Sequence, residues 1–291
     1  MMRFEKWQAL GNDYIVIERD ELPFELTPLR IMSLCAPHTG VFGDGVLLLS
    51  KPEDPRLVAR LEIFNPDGSR AELSGNGARQ AILYLRRRGW TDQDEFSIAT
   101  DAGEIRPQIV DPMTCRVDMG NASTSSKDYP SGAADGLGEL QAGGRTWPFQ
   151  HVSIGNPQCA IYIDDRELFG ALRLNSIGPE IAGHRYFPNR TNVSWYSDTG
   201  AGRIFAQIFE RGVGETLSSG TGAIGAAVAH VLRGGERRAD GAVTVAMDGG
   251  ELQVEVGEDL HVHLTGWARP VFAGRLSEEY IEELHETQGE T

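Results

Sequence analysis

Two short stretches of this chain carry residue types suited to acid–base chemistry beside a bound anion. "ELSGNGARQAILYL" puts Ser74 on the lip of a glycine-rich turn that feeds a helix, and "ETLSSGTGAIGAAVAHVL" puts Ser219 in the same position. Glycines in such a turn let backbone N–H groups approach a ligand. The unpaired amides and partial positive charge of a helix N-terminus then bind a carboxylate. One lip side chain on each face of the neighbouring carbon suits inversion of a stereocentre: one group removes a proton and the other returns one. Competing readings of the turns fail on their residues. Neither has the lysine of a phosphate-binding P-loop, the G-x-G-x-x-G spacing at Gly220–Gly225 is not expected to follow a parallel strand, and neither serine lies in G-x-S-x-G.

The elements that must position these serines come from a duplication. "GNDYIVI" at Gly11 is echoed by "GNPQCAI" at Gly155, "IFNPDGSRAELSGNGA" at Ile63 by "IFERGVGETLSSGTGA" at Ile208, and "DAGEI" at Asp101 by "DGGEL" at Asp248. The pairs keep their order at an offset of 144 to 147 residues, which marks a tandem repeat of a unit about half the chain long. Each unit reads as short β-branched or aromatic runs between turn residues, such as "VLLLS", "RLEIF", "NVSWY" and "VTVAM", around one helix. The helix after Ser219 is apolar or small on every side, so it must be buried all round. The expected fold is α/β (α+β): two pseudo-symmetric domains, each a curved, mainly antiparallel sheet wrapped on a central helix. Residues 1–118 with 267–276 form one domain, 119–266 the other, and 277–291 an acidic, solvated tail.

Composition narrows the setting. The formal net charge of −15 over 291 residues disfavours nucleic acid and anionic membrane surfaces as partners. The three cysteines are scattered, without a C-x-x-C pair, and read as reduced. The start "MMRFEKWQAL" lacks an apolar signal core, and no apolar run has the length of a membrane span. The expected location is the cytoplasm. The expected partners are a small amino acid and a second copy of the chain, as a homodimer.

Together "LGNDY", "FNPDGS", "SGNGAR", "GNPQC", "RTNVSW" and "ERGVGETLSSGTGA" resemble, in order and spacing, the motifs of the diaminopimelate epimerase family. The resemblance runs from about residue 2 to 274. It implies a pseudo-symmetric two-domain α/β enzyme that uses no metal and no pyridoxal cofactor. Such enzymes interconvert LL- and meso-diaminopimelate on the lysine and peptidoglycan route. By the same resemblance Asn12, Asn65, Asn156, Asn192 and Arg211 match positions that hold the distal end of the substrate. Glu210 matches one that meets its amino group, and Gly75, Asn76, Gly220 and Thr221 match the amides that grip the reacting carboxylate.

Ser74 and Ser219 depart from the family, which has cysteine at both catalytic positions. A thiol near a helix N-terminus can reach a pKa of roughly 3.5–7.5 and so serve as base or acid at neutral pH. A helix dipole contributes only about 0.3–2 kcal/mol, far too little to make a stable alkoxide, and serine acts as a base only with a partner base beside it. Glu72 and Glu215 are the nearest carboxylates in sequence to the two turns. Gln158 stands where the family usually has histidine, and Phe42–Gly43 in "TGVFGDGV" is transposed. Three functions fit this pattern: an epimerase of the diaminopimelate type, a related isomerase or dehydratase, and a non-catalytic binder of diaminopimelate-like amino acids. Of the remaining candidates, Cys159 and His184 read as packed residues. His261 and His263 in "HVH" share a strand face but lack an acidic or cysteine partner in the sequence nearby, so no metal is expected.

Overall fold

A computed structural model describes residues 2–72 and 74–287. The chain divides into a first unit, Met1–Val117 with Trp267–Thr291, and a second, Asp118–Gly266. The elements run β1 (Arg3–Ala9), β2 (Asn12–Glu18), α1 (Pro28–Cys35), β3 (Val46–Ser50), β4 (Ala59–Phe64), β5 (Arg70–Ala71), α2 (Gly75–Arg87), β6 (Ile98–Thr100), β7 (Gly103–Ile105), β8 (Pro107–Asp111) and β9 (Thr114–Asn121). They continue with β10 (Leu137–Ala142), β11 (Arg145–Ser153), β12 (Pro157–Tyr162), α3 (Arg166–Ala171), α4 (Leu174–Ala182), β13 (Asn192–Gly200), β14 (Arg203–Glu210), β15 (Gly214–Thr216) and α5 (Gly220–Leu232). Last come β16 (Ala242–Met247), β17 (Gly250–Val256), β18 (His261–Trp267), β19 (Arg269–Arg275) and α6 (Glu278–Glu286).

The repeat is visible in the topology. The sheet of the first unit has the order β19-β1-β2-β3-β4-β6-β7, with β5 on β4. Its pairs are antiparallel except β2–β3 and β4–β6, which are the two places where a helix intervenes, α1 and then α2. Parallel neighbours need such a crossover. In the second unit the order is β10-β11-β12-β13-β14-β16-β17-β18, with β15 on β14. Again two pairs are parallel, β12–β13 across α3 and α4, and β14–β16 across α5. The hairpins β6–β7 and β16–β17 follow at "DAGEI" and "DGGEL". The mixed α/β fold of two repeated units is the one expected.

Each unit is built on its helix. In α2 the residues Gly75–Leu85 are all buried, and in α5 so are Gly220 and Gly222–His230. The small residues of α5 let it sit against the strands: a Cβ on Gly225 would stand 2.7 Å from Cβ of Gln158 on β12, closer than real carbons pack. Trp195 and Val193 of β13, Ile161 of β12 and Phe209 of β14 belong to a cluster filled out by α4, on the core of the second unit.

Several elements were not expected. α1, α3 and α4 are short crossover helices, and the β10–β11 hairpin extends the second sheet. The C-terminal tail differs from a solvated acidic segment over its described part. α6 starts on Ser277, whose Oγ accepts from the Tyr280 amide at 3.2 Å. Leu284 of α6 is fully buried in the cluster formed with Ile31 and Leu34 of α1. The buried Arg30 of α1 donates to the carbonyls of Leu284 (2.7 Å) and His285 (3.3 Å), satisfying carbonyls that the end of α6 leaves unpaired. The acidic residues of α6 face water while one apolar stripe docks. Residues 288–291 of the expected tail lie outside the described residues.

Candidate active site

In both units the candidate residues gather at one end of three adjacent strands, because the topology brings those ends together. In the first unit, β2 begins at Asn12, β3 begins at Val46 opposite Phe64, and β4 ends at Phe64, one residue before Asn65. In the second, β12 begins beside Asn156, β13 begins at Asn192 opposite Gln158, and β14 ends at Glu210. A helix N-terminus lies at each of these ends: α2 in the first unit and α5 in the second.

Both lip serines are helix N-caps. Ser74 (φ −130°, ψ 121°) and Ser219 (φ −144°, ψ 126°) are extended, and each Oγ accepts from the third amide onward, Gly77 or Gly222, at 3.1 Å. This is the ordinary cap bond of a serine. The glycine at the third position lets the cap close: a Cβ on Gly222 would meet Ile208 Cδ1 at 2.6 Å. Gly75 and Asn76 form the first turn of α2, and Gly220 and Thr221 that of α5.

The surroundings of the two serines differ. Ser74 is half-buried, and the Tyr14 hydroxyl donates to its Oγ at 3.4 Å. Behind it Arg79 is fully buried, donating through Nη1 to Gly75 O (2.9 Å) and through Nη2 to Asn76 Oδ1 (2.6 Å). Burial lowers its pKa to about 10, so it stays a cation at neutral pH. A cation in the first turn of a helix opposes the dipole. Its place there makes the α2 cradle more electropositive than amides alone could. Asn12 is fixed through Nδ2 to Asp44 Oδ2 (2.8 Å), with its carbonyl accepting from Gln80 Nε2 (3.0 Å). Asn65 is held in a turn by Ser69 through Nδ2 to Oγ (2.9 Å).

Ser219 is only 2% exposed, and the Glu210 carboxyl lies near enough to its hydroxyl to be influenced by it. Burial pushes the Glu210 carboxyl above its usual range, and the serine hydroxyl partly offsets that rise. Asn156 reaches Thr221 Oγ1 through Nδ2 (3.2 Å) and accepts from Gln158 Nε2 at Oδ1 (2.7 Å). Asn192 Oδ1 accepts the Arg211 amide at 2.9 Å, and Arg211 Nη1 donates to Asn189 O at 3.0 Å. Ser219, Glu210, Asn156, Asn192, Arg211, Gly220 and Thr221 are thus gathered within the second unit, and Ser74, Gly75, Asn76, Asn12 and Asn65 within the first.

Reading the sequence missed the partners of the serines. Glu72 and Glu215 are both exposed, and Glu215 accepts from Asn175 Nδ2 at 2.9 Å. The carboxylate beside a lip is Glu210 instead. One signal was available: Glu210 is the repeat counterpart of Asn65, so the duplicated frame carries a carboxylate in one copy and an amide in the other. Likewise Tyr14 is the counterpart of Gln158. Gln158 is fully buried, and among the described residues its Oε1 has no partner. Phe42 sits at φ 66°, a left-handed conformation that suits glycine, with glycine one position later. Cys159 is buried and its thiol is pushed well above the ordinary range by burial. His184 packs edge-on to Tyr186 at 4.5 Å. His261 and His263 do have an acidic partner, Asp118 on β9, which lies far from them in sequence.

Known proteins match this frame. The sequence profile described as "Diaminopimelate epimerase" matches residues 4–125 and 150–271, one stretch per repeat. A diaminopimelate epimerase of Synechococcus sp. (strain JA-3-3Ab) is 37% identical over 285 residues, covering 95% of this chain and 99% of its own. One of Pelotomaculum thermopropionicum is 37% identical over 282 residues, 94% of this chain and 98% of its own. Among solved structures, a hydroxyproline epimerase of Agrobacterium vitis with bound trans-4-hydroxy-L-proline superposes with a TM-score of 0.66 at 17% identity, covering 94% and 91% of the two chains. A phenazine biosynthesis protein of Bacillus anthracis gives 0.67 at 16%, covering 95% and 99%. At these identities the structures share the fold. Among the described residues no helix is long and apolar enough to cross a membrane.

Proposed function

The chain belongs to the diaminopimelate epimerase family, and on that premise we propose that it is a cofactor-independent amino-acid isomerase acting on diaminopimelate or a close analogue, in the cytoplasm and as a homodimer. The observation that carries this reading is the repetition, in both units, of an N-cap side chain at the lip of a buried helix that opens Gly-Asn-Gly in α2 and Gly-Thr-Gly in α5. In this reading the amides of α2 and α5 hold the carboxylate of the reacting centre. Asn12, Asn65, Asn156, Asn192 and Arg211 hold the distal amino acid, and Ser74 and Ser219 serve opposite faces of one α-carbon. Arg211 suits the distal carboxylate because a guanidinium can fork it.

The two half-sites are unequal, and that gives the reaction a direction of proton flow. Ser219 with Glu210 forms the basic half: a hydroxyl beside a carboxylate can pass a proton to it. Ser74 with Tyr14 forms the donating half, since a phenol and a hydroxyl carry protons at neutral pH. The pair replaces two thiols, so turnover at neutral pH is slow. The resulting LL-/meso-diaminopimelate interconversion belongs to lysine and peptidoglycan synthesis. Solvent-deuterium exchange at the α-carbon of each stereoisomer tests the proposal. Exchange in either isomer supports proton abstraction, and a protein that binds diaminopimelate tightly without exchanging it is a binder. One observation favours that second reading: neither neighbour of Ser74, the Tyr14 phenol or the Gly77 amide, is a base at neutral pH. A related isomerase or dehydratase would instead exchange another substrate, and buried Gln158 marks where its specificity would differ.

A further inference from the structure

Asp118 on β9 and His261 and His263 on β18 form a cluster with which the proposed reaction has nothing to do. β9 and β18 are neighbours in the sheet, and from Asp118 onward β9 belongs to the second unit. Residues two apart on a strand point to the same face, which brings both imidazoles to the carboxylate. One donor atom from each of the three side chains lies within 4.8 Å of the others. The rings stand 5.0 Å apart between centroids, and all three residues are half-buried.

The hydrogen bonds around His261 decide what the cluster needs. Asn121 donates through Nδ2 to the Asp259 carbonyl at 3.0 Å, which fixes its amide and turns Oδ1 toward the ring. His261 Nδ1 lies 3.2 Å from that Oδ1. An amide oxygen only accepts, so Nδ1 carries the hydrogen. In the neutral ring Nε2 then presents a lone pair, and it lies 2.8 Å from Asp118 Oδ1, which also presents lone pairs. Such an approach requires a cation between the two atoms. A proton there gives an imidazolium–carboxylate pair that engages two of the three donors. A metal ion uses all three donors. The Asn121 contact is also the outer-shell bond that metal-bound histidines make with their second nitrogen.

We propose that Asp118, His261 and His263 form a binding site for a divalent transition cation of the zinc class, through two imidazole nitrogens and one carboxylate, with water in the remaining position. Three protein ligands plus water is a common zinc arrangement, and imidazole donors favour zinc over magnesium or calcium. Asp118 is the first residue of the second unit and β18 its last strand. The ion therefore fastens the beginning of that unit to its end, and it acts on stability rather than on the serine cradles.

The test uses the full chain stripped with chelator and dialysed, titrated calorimetrically with Zn²⁺ and, in parallel, followed by the visible absorption of Co²⁺. We expect one equivalent bound with a dissociation constant in the micromolar range or below. His263→Gln and Asp118→Asn should each weaken it at least tenfold, and Asn121→Ala about tenfold through loss of the outer-shell bond. His184→Gln, elsewhere in the same unit, should leave it unchanged. Absence of binding below about 1 mM would overturn the site and leave the protonated pair as the explanation. Equal affinity in the wild type and His263→Gln would overturn it as well. If Asp118→Asn fails to fold, His263→Gln decides alone, since its half-exposed ring carries little packing.

Discussion

Restoring a thiol at both lips should convert a slow isomerase into a competent one. The perturbation is Ser74→Cys with Ser219→Cys. A helix dipole is worth about 0.3–2 kcal/mol, and 1.36 kcal/mol is one pKa unit, so either cradle moves a lip group by about 0.2–1.5 units. That shift cannot ionise a hydroxyl, but it carries a thiol from about 8.5 toward neutrality. Each correctly ionised acid–base group contributes about 10²–10⁴-fold, so the double variant should exceed the unmodified chain by at least about a hundredfold. The surroundings also predict which thiol ionises first. At position 74 the buried Arg79 cation lies behind the cradle and the Tyr14 hydroxyl donates toward the lip, both favouring a thiolate. At position 219 the Glu210 carboxylate faces the lip, and a like charge holds a thiol protonated. Ser74→Cys alone should therefore accelerate α-deuterium exchange from one stereoisomer at neutral pH, while Ser219→Cys alone should gain little. The assay is deuterium wash-in read by mass spectrometry, with chromatographic separation of the LL and meso forms to count inversion. Robust inversion by the unmodified protein, or a double variant that binds diaminopimelate yet stays inactive, would refute the reasoning.

Other outcomes follow from particular contacts. Arg211→Ala should weaken diaminopimelate binding by about 1.5–3 kcal/mol, roughly ten- to a hundredfold, and calorimetry showing equal affinities would exclude the distal-carboxylate role. Glu210→Gln should change stability in a pH-dependent way. Burial raises this carboxyl in the fold, so the wild type keeps its full stability below the unfolded value near 4.5 and loses some as pH rises through the raised folded value. The variant should therefore gain against wild type between pH 4 and 7 in urea titrations, and a gain of the opposite sign would contradict the assigned burial. Leu284→Ala should cost about 2–5 kcal/mol of stability because Leu284 is fully buried, whereas a loss under about 0.5 kcal/mol would return α6 to a solvated tail.

The repeat, most strands and both helix N-caps could be read from the chain because they are written locally, in turn residues, alternation and glycine spacing. The parallel joins β2–β3 and β12–β13 could not, since crossover helices as short as α1 and α3 carry little periodicity. The partners of the site residues were hidden for a different reason. Tyr14 and Ser74, Glu210 and Ser219, and Asp118 and His261 meet only after strands distant in sequence are paired, and a scan for nearby partners passes over all three. The tail misled because its charge count is high while the single stripe that docks is narrow: of α6 only Leu284 is buried.

The three native cysteines have a consequence for labelling chemistry. Cys35, Cys115 and Cys159 are all buried, and burial lifts the first two thiols to about 12 and the third well above its ordinary value. At pH 7.5 a thiol with a pKa near 12 is ionised to only about 3 parts in 10⁵, and the thiolate is the species that alkylates. The three native thiols should therefore alkylate slowly in the folded chain, without any cysteine being removed. A thiol introduced at the half-buried position 74 can be counted, and its pKa read from the pH dependence of alkylation, against a low background.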